Sequence, residues 1–299
     1  MQWQFFLEVL VGGLLAGVMY SLVALGFVLI YKASGVFNFA QGAMVFFAAL
    51  TFVSLFERGV PMWLAFVITL AVMVVLGIAT EMVVLRPLVN QPPITLFMAT
   101  IGLTFVLEGL SQLVWGSQPH GLELGIPDVP MEWLSQGTGI NISQFEVFAA
   151  GVAGALVAVL ALFFQYTRIG RALRAVADDH QAALAVGIPL QHIWGIVWAV
   201  AGFVALVAGL MWGARNGVQF ALTFIALKAL PVLILGGFES VAGAIVGGLI
   251  IGASEKLAEV YLGPFVGGGI ESWFPYVLAL VFLLFRPEGL FGEKHIDRV

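Results

Sequence analysis

Cysteine is absent from the 299-residue sequence, and charged side chains make up only 10% of it. Without cysteine the chain has neither a disulfide framework nor a thiolate metal site. The 12 Lys and Arg against 17 Asp and Glu give a net charge of −5. No basic face is available to hold phosphates, so a nucleic-acid partner is not expected.

The short motifs of common enzymes are also missing. No lysine follows the Gly-x-x-x-x-Gly pattern that cradles phosphate, so ATP hydrolysis is not expected on this chain. There is no His-Glu-x-x-His and no Gly-x-Ser-x-Gly. Asp178, Asp179 and His180 are adjacent, and neighbouring helical residues point in different directions, which disfavours a shared ion. We therefore predict no catalytic site, no cofactor and no metal site.

Apolar residues dominate instead, at 61% of the chain. A bilayer core of about 30 Å needs roughly 20 apolar residues per helix, and uncharged stretches of that length recur. The C-terminal half adds four more stretches that charged residues interrupt. The sequence predicts an all-α polytopic membrane protein with about nine spans (eight to ten), forming one transmembrane domain over 1–299. The five clear spans are 9–30, 33–56, 59–80, 87–107 and 147–167.

Two of the predicted spans contain polar residues that suggest broken or re-entrant helices. Stretch 33–56 holds Asn38 and Gln41 near its start, and stretch 218–237 holds Lys228. Non-helical backbone is tolerated at membrane depth only where it is buried in protein or lines a cavity. Either stretch is therefore a candidate for a broken or re-entrant helix.

The distribution of Lys and Arg predicts the orientation, because cytoplasmic loops are enriched in both. Segment 168–190 is basic and is placed in the cytoplasm, whereas loop 116–143 contains acidic residues, lacks Lys and Arg, and is placed outside. Nine spans then put the N-terminus outside and the C-terminus in the cytoplasm. The basic residues predicted inside are Lys32, Arg86, Arg168, Arg171, Arg174, Arg286, Lys294 and Arg298, and those outside are Arg58 and Arg215.

Glycine accounts for 36 residues, many of them inside the apolar stretches. Small residues let membrane helices cross closely. The run from Gly243 to Gly247 is a Gly-x-x-x-Gly pattern of this kind. Packing within the chain is the favoured interpretation, and contact with another subunit is the alternative.

Five ordered blocks of the sequence resemble the permeases of high-affinity branched-chain amino-acid ABC importers, whose relatives import urea, amides and aromatic acids. The resemblance implies a permease subunit that moves branched-chain or related hydrophobic amino acids inward across the bacterial cytoplasmic membrane. An ion-coupled secondary transporter or channel is the alternative. The blocks are Gly35-Val-Phe-Asn38-Phe-Ala-Gln41-Gly42, Ala99-Thr-Ile-Gly-Leu103, Gly170-Arg-Ala-Leu-Arg-Ala-Val-Ala-Asp178, Ala183-Leu-Ala-Val-Gly187-Ile, and Leu227-Lys228-Ala with Leu235-Gly-Gly237 and Gly243-Ala.

The same resemblance implies the partners. They are a second permease subunit of a different chain, two cytoplasmic ATPase subunits that carry ATP and Mg, an external substrate-binding protein, and the lipid bilayer. Segment 168–190 mixes strong helix formers with a Gly-Ile-Pro stop, which predicts one or two short helices outside the bilayer. In this family it would be the coupling loop to the ATPase, and an interfacial connector is the alternative. The candidate coupling residues are Arg171, Arg174, Asp178, Asp179, Ala183 and Gly187.

Asn38, Gln41 and Lys228 are the candidates for the translocation path. Asn38 and Gln41 are three residues apart and share a helical face, where amides either line a path or join helices. A lysine inside the bilayer needs a partner or a watery cavity. Lys228 therefore lines the path, reaches the interface with its stem, or pairs with Glu108 or Glu255. Glu255, Lys256 and Glu259 are expected near the external end of a span, where they form either an interface anchor or a surface that faces a partner.

Overall fold

The computed structural model describes residues 2–88, 91–178 and 180–292. Within these ranges the chain is helical and contains no β-strand, as the composition predicts. The α-helices are α1 (Gln2–Ser34), α2 (Gln41–Glu57), α3 (Met62–Ala79), α4 (Pro93–Trp115), α5 (Glu132–Thr138), α6 (Gln144–Tyr166), α7 (Arg168–Asp178), α8 (His180–Ala185), α9 (Leu190–Asn216), α10 (Ile225–Gly236), α11 (Val241–Val266) and α12 (Phe274–Phe285).

Six helical segments of the described chain are long and apolar enough to cross a membrane: Trp3–Ser34 of α1, Met62–Leu88, α4, α6, α9 and α11. Three further apolar segments are shorter, namely α2, Phe220–Gly236 and α12. The chain is thus an all-helical, multi-pass membrane protein.

Charged residues do not end the helices where the sequence suggested. The helix that begins at Met62 continues past residue 80 through a π-helix, Thr80–Leu85, and a short 3-10 turn, Arg86–Leu88. Buried Glu81 accepts two hydrogen bonds from Arg86, at 3.1 and 2.7 Å. The α-helical part ends at Ala79, next to the predicted boundary at Thr80, while the helical segment as a whole continues to Leu88. The next helix begins at Pro93 rather than at residue 87, since proline suits the first turn of a helix.

Both predicted irregular spans are interrupted. Residues 35–40 are not α-helical, and α2 starts only at Gln41. In the second segment a 3-10 helix, Phe220–Phe224, precedes the 12-residue α10. At 1.5 Å per residue α10 is about 18 Å long, which is shorter than a bilayer core.

The chain forms two compact units. Unit 1 comprises Met1–Leu25, Leu124–Ala158 and Leu227–Val299, and unit 2 comprises Gly26–Glu123 and Val159–Ala226.

Glycines bring the helices of unit 1 into backbone contact. A Cβ atom on Gly17 of α1 would lie 2.5 Å from the carbonyl oxygen of Gly248 in α11. A Cβ atom on Gly247 would lie 2.6 Å from the carbonyl oxygen of Val232 in α10. Real Cβ atoms do not approach so closely, so only glycine fits. Gly247, from the predicted Gly-x-x-x-Gly pattern, therefore packs within the chain.

In unit 2, α9 is the central helix and packs against both α2 and α3. A Cβ atom on Gly209 would lie 2.6 Å from the carbonyl oxygen of Val45, and one on Gly202 would lie 2.7 Å from that of Met73. The close crossings bury the large side chain of Trp198 almost completely.

Candidate functional site

The predicted coupling segment folds as two short helices, α7 and α8, in unit 2. Thr167 precedes α7, and its hydroxyl accepts a hydrogen bond from the amide of Gly170 at 3.1 Å, which caps the helix. Leu173 and Val176 are buried, three residues apart on one face. This spacing gives α7 a packed side and a polar side.

Two arginines of α7 hold the end of the preceding helix. Arg174 donates from Nη1 to the carbonyl oxygen of Phe164 at 2.7 Å and from Nη2 to that of Gln165 at 3.1 Å. Arg171 makes a longer contact, 3.5 Å from Nη1 to the carbonyl oxygen of Tyr166. The last carbonyls of a helix lack intrahelical partners, and cations are favoured there. Both candidate coupling residues therefore join α7 to α6, a role that the sequence did not indicate.

Gly187 ends α8 with a left-handed turn at φ +84°. The amide of Gly187 bonds to the carbonyl of Leu184 at 3.0 Å, and that of Ile188 bonds to the carbonyl of Ala183 at 3.0 Å. This pair of bonds is the Schellman arrangement, which favours glycine at this position. Ala183 is buried, whereas Leu184 and Val186 are 54% and 76% exposed. The segment thus presents two apolar side chains on a fixed turn.

The remaining two coupling candidates are acidic. Asp178 is the last residue of α7. Asp179 lies outside the described residues. The coupling role of the six candidates stays a prediction.

Asn38 and Gln41 lie together in unit 2 and are completely buried. Asn38 donates from Nδ2 to Oε1 of Gln41 at 3.2 Å, and its Oδ1 accepts from the amide of Ala40 at 3.1 Å. Gln41 donates from Nε2 to the carbonyl oxygen of Ala201 in α9 at 3.4 Å. In this conformation the two amides stabilise the break between α1 and α2 and connect it to α9. Their role in a translocation path stays a prediction.

Thr100 of α4 completes the packing of this break. Its hydroxyl accepts from the amide of Phe39 at 3.1 Å and lies 3.2 Å from the carbonyl oxygen of Phe37. A buried hydroxyl in an apolar helix requires such partners. The threonine of the Ala99–Leu103 block was the available signal, although the sequence did not show which backbone it would meet.

Lys228 lies in unit 1 and pairs with Glu255, one of the two glutamates considered from the sequence. Lys228 Nζ is 3.2 Å from Glu255 Oε1 and 3.5 Å from the hydroxyl oxygen of Tyr20. Tyr20 donates its hydroxyl to the same Glu255 Oε1 at 3.2 Å. The three residues come from α10, α11 and α1, the helices joined by the glycine contacts of unit 1. We call them the Lys228 cluster.

The structure corrects the expectation that Glu255 belongs to an interface anchor. Glu255 is only 2% exposed and lies near the middle of α11, fourteen residues after Val241 and eleven before Val266. Lys256 and Glu259 do bind the segment after the helix. Lys256 Nζ is 2.9 Å from Glu271 Oε2, and Glu259 accepts from the amides of Gly269 and Glu271, both at 3.0 Å.

Comparison with known proteins shows that this sequence is similar to those of transport permeases. The high-affinity branched-chain amino acid transport system permease protein BraD of Pseudomonas aeruginosa is 29% identical, with 98% of each chain covered. The corresponding protein LivH of Escherichia coli K12 is 27% identical over 100% of this chain and 99% of its own. The fructose import permease protein FruF of Bifidobacterium longum is 24% identical over 79% of this chain and 66% of its own.

A family model described as "Branched-chain amino acid transport system / permease component" matches residues 9–285. The match runs from the first apolar helix to the end of α12 and includes the predicted coupling segment and the Lys228 cluster. This chain therefore belongs to the family of permease components of branched-chain amino acid transport systems.

Proposed function

We propose that this chain is the transmembrane permease subunit of an ATP-binding-cassette importer that moves branched-chain or related hydrophobic amino acids into a bacterial cell. The observation that carries the proposal is the family match over residues 9–285. BraD and LivH, which align with this chain over nearly the full length of both proteins, are permeases of branched-chain amino acid transport systems. ATP and Mg would be bound by two separate ATPase subunits. The remaining partners would be a second permease and an external binding protein.

We place the chain in the cytoplasmic membrane with nine crossings, the N-terminus outside and the C-terminus inside. The three shorter apolar segments α2, Phe220–Gly236 and α12 would add to the six long ones.

Contacts between loops support this alternation within unit 2. Three segments predicted outside lie together: Glu57 Oε1 is 3.0 Å from His120 Nδ1, and the backbones of His120 and Val218 exchange two hydrogen bonds of 2.9 and 2.8 Å. At the predicted cytoplasmic end, Trp194 Nε1 donates to the carbonyl oxygen of Ala33 at 2.8 Å.

In unit 1, contacts between loops also join segments that are predicted on the same side of the membrane. Near the N-terminus, Glu8 Oε2 accepts from the amide of Asn141 at 3.0 Å, which joins two segments predicted outside. The amide of Leu290 donates to the carbonyl oxygen of Leu235 at 2.8 Å, which joins two segments predicted inside. Every contact named here connects segments assigned to the same side.

In the proposed mechanism, the chain supplies the path and transmits motion to it. The exposed Leu184 and Val186 would contact a cytoplasmic ATPase subunit, and the arginine bonds from α7 to α6 would carry its displacement into a membrane helix. ATP binding and hydrolysis on the partners would then shift the population between inward-facing and outward-facing states.

The first test is purification from native membrane through a tag on this chain, followed by mass spectrometry and leucine uptake in proteoliposomes. We expect two ATPases and a second permease to co-purify, and uptake to require internal ATP and external binding protein. Uptake driven by an ion gradient in vesicles that hold this chain alone would instead establish a secondary transporter.

The coupling role has its own test in this assay. Leu184→Glu and Val186→Glu should release the ATPase subunits or abolish ATP-driven uptake, because a charge would replace an apolar contact. Val129→Glu is the matched control, since Val129 is also exposed, at 45%, but lies in the loop predicted outside. Normal assembly and uptake in both coupling variants would remove the role from this turn.

A further inference from the structure

Two members of the Lys228 cluster, Glu255 and Tyr20, lie near the middle of long apolar helices. Glu255 is separated from the two ends of α11 by about 21 and 16 Å at 1.5 Å per residue. Tyr20 is near the middle of the 33-residue α1. Ionisable groups at such depth are costly and are retained where they face a partner or a water-filled cavity. Lys228 and Glu255 are partners in this sense, so the feature left to explain is the exposed part of the lysine side chain.

The three members are not equally accessible. Glu255 and Tyr20 are 2% and 4% exposed, whereas the side chain of Lys228 is 31% exposed. A molecule that reaches the cluster thus meets the lysine first. The ammonium has three donors, and Glu255 Oε1 and the Tyr20 hydroxyl accept two of them. Within the part of the chain that the structure describes, one donor is thus left for an additional acceptor.

Glu255 is arranged to hold the lysine rather than to bind a ligand itself. Its Oε1 accepts from both Lys228 and Tyr20, and its Oε2 is buried with no hydrogen-bond partner among the described residues. A carboxylate bonded through one oxygen balances the lysine's charge and fixes its position. Because the lysine is the exposed member of this pair and the carboxylate is buried, a ligand would meet the ammonium, which suits an anionic group.

From these contacts we infer that Lys228 binds the carboxylate of the transported amino acid during its passage. Glu255 and Tyr20 are positioning residues that orient the ammonium. This inference rests on the proposed function, because it requires an amino acid as cargo. The bond of Lys228 to Glu255 also limits the affinity, since the substrate carboxylate competes with Glu255 for the same ammonium. A transport site benefits from such weak binding, because the substrate has to leave.

The competing explanation is a purely structural ion pair, and paired substitutions distinguish the two. Removing one member leaves an uncompensated buried charge, so Lys228→Met alone could fail to assemble for structural reasons. The double variant Lys228→Met with Glu255→Gln removes both charges and keeps an acceptor for Tyr20. Lys256→Met is the matched control, because Lys256 lies in the same unit, is 34% exposed and also pairs with a glutamate.

The experiment measures radiolabelled leucine uptake by the purified complex in proteoliposomes, with internal ATP and saturating external binding protein. We expect the double variant to assemble and to hydrolyse ATP, yet to import leucine at least about tenfold more slowly, because a charged hydrogen bond to the substrate is lost. Lys228→Arg should retain more uptake than Lys228→Met, and Lys256→Met should match the unaltered complex.

Two results would overturn the inference while the proposed function stands. One is leucine uptake by the double variant within about twofold of the unaltered complex. The other is failure of the double variant to assemble, which would assign the pair a structural role. If the unaltered complex imports no amino acid, the proposed function fails first and this inference fails with it.

Discussion

Gly13 of α1 and Gly252 of α11 approach so closely that a Cβ atom on Gly13 would lie 2.7 Å from the carbonyl oxygen of Gly252. A Cβ atom on the neighbouring Gly12 would have no atom of another helix within 4 Å. Two adjacent glycines of one helix therefore have opposite roles. Gly13 sets the distance between two helices of unit 1, and Gly12 does not.

This difference makes a direct prediction about stability. Gly13→Ala should lower the free energy of unfolding by about 1–3 kcal/mol, the usual cost of overpacking a close contact. Gly12→Ala should leave it nearly unchanged or raise it, because alanine favours helix over glycine. Thermal unfolding of the detergent-purified protein, followed by size-exclusion chromatography, measures both. Equal stability of the two variants would contradict the close crossing.

The bonds from Arg174 to α6 lead to a second prediction. Arg174→Met should free the carbonyls of Phe164 and Gln165 and loosen the joint between α6 and α7, at a cost of about 1–2 kcal/mol. Arg171→Met should have a smaller effect, because its contact with Tyr166 is 3.5 Å long. Hydrogen–deuterium exchange of the isolated subunit over residues 167–176 measures this without any ATPase present. Unchanged exchange in Arg174→Met would exclude the capping role and leave docking as the explanation of this residue.

The sequence predicts the helical class, the two interrupted segments and the short helices of the coupling loop, because each has a local signal. Charge-free runs of bilayer length identify spans, and amides or a lysine within an apolar run mark the interruptions. Gly187 followed by Ile and Pro predicts the end of α8. None of these features depends on contacts between distant parts of the chain.

The missed features depend on such contacts. Helices that are apolar on all sides carry no periodic signal for their packed face, so the meeting of Tyr20 with Glu255 was not predictable. Charged residues are also poor markers of helix ends, because a contact elsewhere in the fold can hold a charge inside a helix. Glu81 pairs with Arg86 within a helical segment that continues to Leu88, and Glu8 of α1 accepts a hydrogen bond from the amide of Asn141. A tyrosine in the middle of an apolar helix was the one available signal, since its buried hydroxyl needs a partner.

The buried amide pair gives a third prediction. Asn38→Leu should destabilise the protein by about 1–3 kcal/mol, because it leaves the amide of Ala40 and Oε1 of Gln41 without their bonds. Gln118→Leu is the control, since Gln118 is exposed in a loop of the same unit. Thermal unfolding compares the two. A stable Asn38→Leu protein that no longer imports leucine would shift the interpretation of Asn38 from structural support toward the path.

The turn at Gly187 gives the last prediction. Its left-handed backbone, at φ +84°, tolerates some side chains and not others, so substitutions at this position test the turn. Gly187→Val should strain the end of α8 and misplace Leu184 and Val186, whereas Gly187→Asn should be tolerated, since asparagine also adopts this conformation. Gly195→Val is the matched control, because Gly195 lies in α9 with open space around it and an ordinary helical backbone.

The measurement is the amount of ATPase subunit that co-purifies with each variant. Recovery should fall for Gly187→Val and stay normal for Gly187→Asn and Gly195→Val. If Gly187→Val recovers as much ATPase as the other two, the geometry of this turn does not determine docking.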